Sequence, residues 1–93
     1  MAVLVFREVD NLDEPQESTV IAVVLPNRTI LAVDEENKSI LTGYLNMVSE
    51  DVTGEEFFEE FATVVQERVM SISAGLQKDD SKARELVQEY DLS

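Results

Sequence analysis

Residues 19–25 read Thr-Val-Ile-Ala-Val-Val-Leu, an apolar stretch that ends at Pro26. Apolar residues occupy both alternating positions, which is typical of a strand buried on both faces in the middle of a sheet. The β-branched content favours a strand over a short buried helix. The unbroken apolar run, Val20 to Leu25, is also shorter than a membrane span of about 20 residues or a signal-peptide core of about 7 to 15. The chain is therefore expected neither to span a membrane nor to be exported through a signal peptide.

Three more strands are predicted around this one. Residues 2–9 are rich in β-branched and aromatic side chains, and residues 10–18 combine acids with Pro15 in a connecting loop. Residues 28–33 and 39–45 are predicted to form a β-hairpin around the polar loop 34–38. Gly43 would then mark a bulge or a close approach of another backbone.

Two helices are predicted in the C-terminal half. Thr53-Gly54-Glu55-Glu56 matches a capping box, and apolar residues recur at helical spacing from Phe57 to Leu76, so a long amphipathic helix is expected over 54–74 with Gly75 as its C-cap. Ala83, Leu86, Val87 and Tyr90 indicate a shorter helix capped by Asp80 or Ser81. The predicted fold is α+β: a four-stranded, mostly antiparallel sheet in the order ββββαα, with both helices packed on one face.

Composition narrows the chemistry. The 93 residues, 44% of them hydrophobic and 29% charged, predict a single domain over 1–93. Cys and His are absent, and no nucleotide-binding, EF-hand or nucleophile-elbow motif occurs. The sequence therefore predicts no metal, no cofactor, no catalytic residues and no enzymatic activity. A cytoplasmic location is expected.

The dominant signal is a formal net charge of −13, from 20 acids and 7 bases. The densest group of acids lies between residues 50 and 60 and comprises Glu50, Asp51, Glu55, Glu56, Glu59 and Glu60. Such a charge disfavours direct contact with nucleic acid or a membrane and favours a basic protein surface as partner. Carboxylates about 5 to 6 Å apart on a helix can imitate a nucleic-acid backbone. Two alternatives explain the acids without a binding role: the preference of acidic residues for the start of a helix, and adaptation of the protein to high salt.

A second feature concerns self-association. With two helices on one face, the other face of the sheet would remain apolar and exposed, which indicates a homodimer or a permanent partner, unless the sheet curls on itself. The residues expected at such an interface are Val20, Ala22, Val24, Ile30, Ala32 and Arg68.

Two residues of the predicted long helix break its pattern. Arg68 lies in the apolar arc, where its guanidinium either reaches water or a carboxylate such as Glu8, or forms a buried or interfacial ion pair. Met70 lies toward the polar arc, where it either packs under the second helix or anchors a partner.

Two functions remain open from the sequence. The first is a non-enzymatic acidic inhibitor or DNA mimic that occupies a basic site on another protein, for example one that handles nucleic acid. The second is a structural or chaperone-like assembly subunit, such as a phage accessory protein, that self-associates through its apolar sheet face.

Overall fold

The computed structural model describes residues 3–9, 19–77 and 81–92. The strands β1 (Val3–Glu8), β2 (Thr19–Val24), β3 (Ile30–Ala32) and β4 (Ile72–Gln77) form one antiparallel sheet in the order β3-β2-β1-β4. The helices are α1 (Glu35–Leu45), α2 (Gly54–Arg68) and α3 (Ser81–Leu92). The predicted α+β class with a four-stranded antiparallel sheet is confirmed, and the order along the chain is βββααβα.

The first three strands follow the sequence prediction closely. β1 and β2 form the middle of the sheet, and their buried side chains include Phe6, Ala22, Val23 and Val24, each with no measurable exposure. Apolar residues occupy both alternating positions of β2 because this strand is covered on both faces. The loop predicted over 10–18 lies outside the described residues.

The fourth predicted strand, residues 39–45, is instead part of helix α1. Asp34 caps this helix, because its side chain accepts a hydrogen bond of 2.8 Å from the amide of Asn37. Leu41, Leu45 and Val48 recur at helical spacing and pack into the core. The polar residues of a hairpin loop and of a helix start are similar in composition, and here the Asp34 cap favours the helix. Gly43 therefore lies within a helix and marks no bulge.

The fourth strand of the sheet is β4, which begins in the last residues of the predicted long helix and continues through its predicted cap, Gly75. Helix α2 ends at Arg68, and Val69 leaves it with extended φ and ψ angles of −130° and 103°. Residues 72–77 then pair with β1 along its whole length, from Val3 opposite Gln77 to Glu8 opposite Ile72. Pairing with the open edge of β1 supplies backbone hydrogen bonds that overrule the helical spacing of Ile72 and Leu76. Gly75 therefore lies in a strand and caps no helix.

A bulge in β2 changes which side chains share a face. Phe6 pairs with Ala22, but Arg7 pairs with Val20, so Ile21 is an extra residue in the ladder. Val20 packs with Val23 and Leu25 on one face, whereas Ala22 and Val24 pack on the other.

The helices cover both faces of the sheet, and the prediction that both would pack on one face is wrong. Helices α1 and α2 lie on the face that carries Leu4, Phe6 and Val24. Helix α3 contacts β2 and β3, and its Leu86 packs with Val5 and Val23 on the opposite face. The sequence analysis predicts a hairpin in place of helix α1. Because α1 covers the first face together with α2, the C-terminal helix packs on the second face.

Helix α2 supplies the aromatic part of the core. Phe57, Phe58, Phe61 and Val65 are buried along one side of the helix, as the apolar arc predicted. Phe61 meets Phe6 edge to face at 5.1 Å between ring centroids and stacks on Phe57 at 5.7 Å. Such offset and edge-to-face arrangements suit the aromatic quadrupole.

The start of α2 differs from the predicted capping box. Thr53 occupies the N-cap position with extended backbone angles, but its side chain makes no capping hydrogen bond. Gly54 has a φ of 61°, a left-handed conformation that departs from the geometry a capping box needs. Glu56 is therefore not committed to the cap.

Replacing Asp34 with alanine should lower the free energy of unfolding by about 1 kcal/mol, because the Asn37 amide loses its acceptor at the start of α1. Asp34→Asn is the matched control, since asparagine caps helices about as well as aspartate. Urea denaturation measures both. Equal losses in the two variants would show that the charge, and not the capping hydrogen bond, stabilises the helix start.

Candidate functional site

We call the six predicted acids together the α2 acidic surface, defined as Glu50, Asp51, Glu55, Glu56, Glu59 and Glu60. The first two lie in the loop between α1 and α2, and the others are on the first two turns of α2. Five are exposed and Glu60 is partly buried. Because the phenylalanines define the buried side of α2, the four glutamates of the helix lie on its flanks and outer side.

The α2 acidic surface is not neutralised by neighbouring bases in the described part of the chain. Residues 39–67 contain seven acids and no Lys or Arg. Among the described residues, the six carboxylates form no ion pair. The amide of Asp51 donates to the hydroxyl of Ser49 at 3.3 Å, which orders the backbone and leaves the Asp51 carboxylate unused. Their charge is therefore directed to solvent.

Arg28 is the base that the structure brings to this region, and sequence reasoning missed its role. Its guanidinium donates to the carbonyl oxygens of Ser49 at 2.6 Å and Val52 at 2.8 Å. It also lies 4.7 Å from the centroid of the Phe57 ring, in a cation–π contact. Arg28 thus fastens the loop before α2 to the turn after β2. The signal available in the sequence was a single arginine beside the Pro26-Asn27 turn.

The hydrogen bonds of Arg28 leave the carboxylates free. A guanidinium commonly forms bidentate bonds with a carboxylate, but here both recorded hydrogen bonds go to backbone carbonyls. Arg28 and Glu50 line the same open cavity of about 420 Å³, with Leu45, Asn46 and Val48. The arginine therefore shapes the loop that carries Glu50 and Asp51 without forming an ion pair with either.

The remaining acidic group of the described loops lies at the start of α1. Glu35 and Glu36 are exposed in its first turn, where the helix dipole favours negative charge. Asp34 is occupied by its bonds to the Asn37 backbone and side chain, at 2.8 and 3.2 Å. A cavity of about 570 Å³ is lined by Asp34 and Glu36 and by Val69, which places this end of α1 beside the C-terminal end of α2. The group therefore lies at the opposite end of α2 from the α2 acidic surface.

Five of the six residues predicted to mediate self-association pack in the core, and the sixth, Arg68, is exposed. Val20, Ala22, Val24 and Ile30 are buried at 8% exposure or less, and Ala32 packs against the same core as the last three. The bulge also places Val20 on the face opposite the others. The prediction assumed an uncovered sheet face and strict alternation, and neither holds in the folded chain.

The two anomalous residues of the predicted long helix are both exposed. The Arg68 side chain is 40% exposed, donates to the Val64 carbonyl at 3.0 Å and lies 3.8 Å from a Glu67 carboxylate oxygen. Its partner is therefore Glu67 instead of Glu8, and the pair is not buried. Met70 is 80% exposed in the turn before β4 and does not pack under the last helix, because α3 lies on the other face of the sheet.

Metal and membrane features can be assessed only for the residues that the structure describes. In that part of the chain, no group of three or more Asp, Glu, Cys or His side chains is arranged to hold a metal ion. None of the helices in the same residues combines the length and the apolar character that crossing a bilayer requires.

Comparison of the chain with protein-family models, curated proteins and solved structures finds no match.

Proposed function

We propose that the chain is a non-enzymatic interaction protein that binds a basic surface of another protein through the α2 acidic surface. The observation that supports this proposal is the lack of neutralisation: across the described residues these six carboxylates form no ion pair, and the adjacent Arg28 is bonded to backbone carbonyls. The net charge of −13 also exceeds the magnitude of about 2 to 8 that suffices for the solubility of a small domain.

The arrangement of the acids favours a partner that normally handles nucleic acid. Glu55 and Glu59, and likewise Glu56 and Glu60, are one helical turn apart, which gives carboxylate rows spaced by about 5 to 6 Å. A groove of Lys and Arg side chains that binds phosphates at similar intervals would accept such rows. Electrostatic steering would then give fast association that weakens as salt increases. The chain would act as an inhibitor by occupying that groove.

A charge-reversal experiment tests the location of the binding surface. Changing Glu55, Glu56, Glu59 and Glu60 to lysine should abolish binding of a fluorescent oligolysine peptide at low salt, because the rows become repulsive. The matched control changes Glu35, Glu36, Glu67 and Glu89 to lysine, which alters the net charge equally at exposed positions elsewhere. Fluorescence anisotropy measures binding, and circular dichroism verifies that each variant is folded.

Two results would contradict the proposal. Equal loss of binding in both variants would show that only the overall charge matters and that the α2 acidic surface is not the site. Unfolding of the unmodified chain at low ionic strength, with no oligolysine binding, would support adaptation to high salt instead.

The alternative of an assembly subunit loses the observation that suggested it. Helices α1 and α2 cover one face of the sheet and α3 packs on the other, so the apolar face expected from the sequence is part of the core. The cytoplasmic location and the absence of enzymatic activity remain predictions.

A further inference from the structure

Strand β4 forms one edge of the sheet, and the pairing pattern shows which of its backbone groups point outward. The amide of Val9 donates to the carbonyl of Ser71 at 2.7 Å, so the residues in register with this pair direct their polar groups toward β1. In an antiparallel ladder the intervening residues point the other way. Ile72, Ala74 and Leu76 therefore present their amides and carbonyls at the outer edge.

Two of the outward amides on this edge have hydrogen-bond partners within the protein. The Ile72 amide donates to the Val69 carbonyl at 3.3 Å, and the Ala74 amide donates to Oε1 of Gln66 on α2 at 3.1 Å. Among the described residues the outward amide of Leu76 has no partner, and the residue is 49% exposed. The strand, Ile-Ser-Ala-Gly-Leu-Gln, also lacks the Lys and Pro residues that commonly protect an edge.

An apolar groove lies beside this open end of the edge. A cavity of about 170 Å³ is lined by Leu4, Phe58, Glu59, Ala62, Gly75 and Leu76. Its apolar walls come from the sheet and from the flank of α2, and Glu59 is the charged residue among them. Glu55 lies one helical turn before Glu59 on the same flank. The edge thus combines a backbone donor that has no partner among the described residues, space for one aliphatic side chain and a row of carboxylates.

We infer that the outer edge of β4 accepts an extended, basic segment of the partner protein as a fifth strand. The segment carries an aliphatic residue that enters the groove, with Lys or Arg two residues to either side on the same face, where they reach Glu59 and Glu55. Backbone hydrogen bonds to Leu76 and the outward carbonyls supply the register. The inference rests on the proposed function, because the basic partner is the one proposed above.

Charge selects this occupant over a second copy of the chain. Pairing two β4 edges would bring two α2 flanks with their glutamates together, and each copy carries a net charge of −13. A segment with lysine at alternate positions removes that repulsion and adds attraction to the same carboxylates.

The test uses the synthetic peptide Lys-Thr-Val-Thr-Lys-Thr with the full chain. Two further versions are methylated on alternate backbone nitrogens, one in each register. Strand addition predicts that one methylation register weakens binding by about tenfold or more, since the donors facing β4 are lost, while the other register binds like the parent. Hydrogen exchange of the Leu76 amide should slow on addition of the parent peptide.

Two variants of Leu76 test the same hydrogen bond by changing the protein instead of the peptide. Leu76→Pro removes the outward amide at a position where an edge strand tolerates proline, and Leu76→Ala keeps the amide with less bulk. We expect the proline variant to bind the peptide about fivefold or more weakly than the alanine variant. If the proline variant does not fold, as judged by circular dichroism, the methylated peptides still decide the question.

The outcomes separate this inference from the proposed function. Equal binding of both methylated peptides, abolished by reversing the four glutamates of α2, would overturn strand addition and leave the basic partner supported. A serine-for-lysine peptide that binds as tightly as the parent, with the same register dependence, would support strand addition and contradict the basic partner. A dimer that protects the Leu76 amide without peptide would overturn the inference, because the chain itself would occupy the edge.

Discussion

Phe61→Ala should lower the free energy of unfolding by about 3 to 5 kcal/mol, the usual cost of truncating a fully buried aromatic residue. Phe61 has no measurable exposure, and its ring contacts both Phe6 on the sheet and Phe57 on its own helix. The cavity would therefore lie where α2 joins the sheet. Domains of this size have a total stability of roughly 5 to 15 kcal/mol, so much of the folded state is at risk.

Chemical denaturation followed by circular dichroism measures this loss. Phe61→Leu should cost clearly less than the alanine variant, because most of the apolar volume remains. Thr63→Ala on the exposed side of the same helix is the second control and should change stability by no more than about 0.5 kcal/mol. A similar small effect of Phe61→Ala would mean that α2 does not pack on β1 through this residue.

Arg28→Ala should cost about 3 kcal/mol, because it removes two hydrogen bonds from a charged donor and a cation–π contact at once. The bonds to Ser49 and Val52 join the turn after β2 to the loop before α2. The loss should also loosen the loop that carries Glu50 and Asp51. Amide hydrogen exchange of residues 49–53 should therefore speed up more than exchange in β1.

The backbone conformation of Arg28 provides a control in which glycine is expected to be more stable than alanine. Its φ is 73°, a left-handed conformation that is costly for any residue other than glycine. Arg28→Gly loses the same contacts but relieves this cost, so it should be more stable than Arg28→Ala by about 0.5 to 1 kcal/mol. Arg28→Lys retains the charge without the planar fork and should fall between the parent and both variants. Equal stability of the glycine and alanine variants would contradict the left-handed conformation.

The central strands and the apolar side of α2 could be predicted because their signals are local and strong. Residues 20–24 are apolar on both alternating faces of the strand, and such a segment is stable only where both faces are covered. The phenylalanines of α2 recur with the period of a helix, and all three are buried. In both cases the burial of apolar area and the periodicity favour the same structure.

The prediction failed where local and tertiary preferences compete. Residues 39–45 contain β-branched and aromatic side chains and resemble a strand, but the Asp34 cap and the apolar spacing of Leu41, Leu45 and Val48 make them helical. Ile72 and Leu76 continue a helical spacing, but the edge of β1 offers them ladder hydrogen bonds. The exchange of these two segments also explains why a helix was assigned to the wrong face.

The candidate site was predictable in part. The cluster of acids between residues 50 and 60 is a property of the sequence. Whether these acids are neutralised cannot be predicted from the sequence, because an arginine distant in the sequence can lie beside them in the folded chain. Arg28 is 22 residues before Glu50 and lines the same cavity, yet it binds carbonyls. The outward amide of Leu76, which has no partner among the described residues, had no sequence signal, since the sequence predicts helix up to residue 74, a cap at Gly75 and no strand in this segment.

Residue types and their spacing along the chain are enough to predict the α+β composition, the buried central strands, the aromatic side of α2 and the large negative charge. Each of these depends on residue type and on spacing within one segment. Contacts between distant segments determine which segment completes the sheet, which face each helix covers, which carbonyls accept from Arg28 and which backbone groups of β4 lack a partner among the described residues. These features depend on contacts between segments far apart in the chain, whose free energies exceed the local preferences of either segment alone.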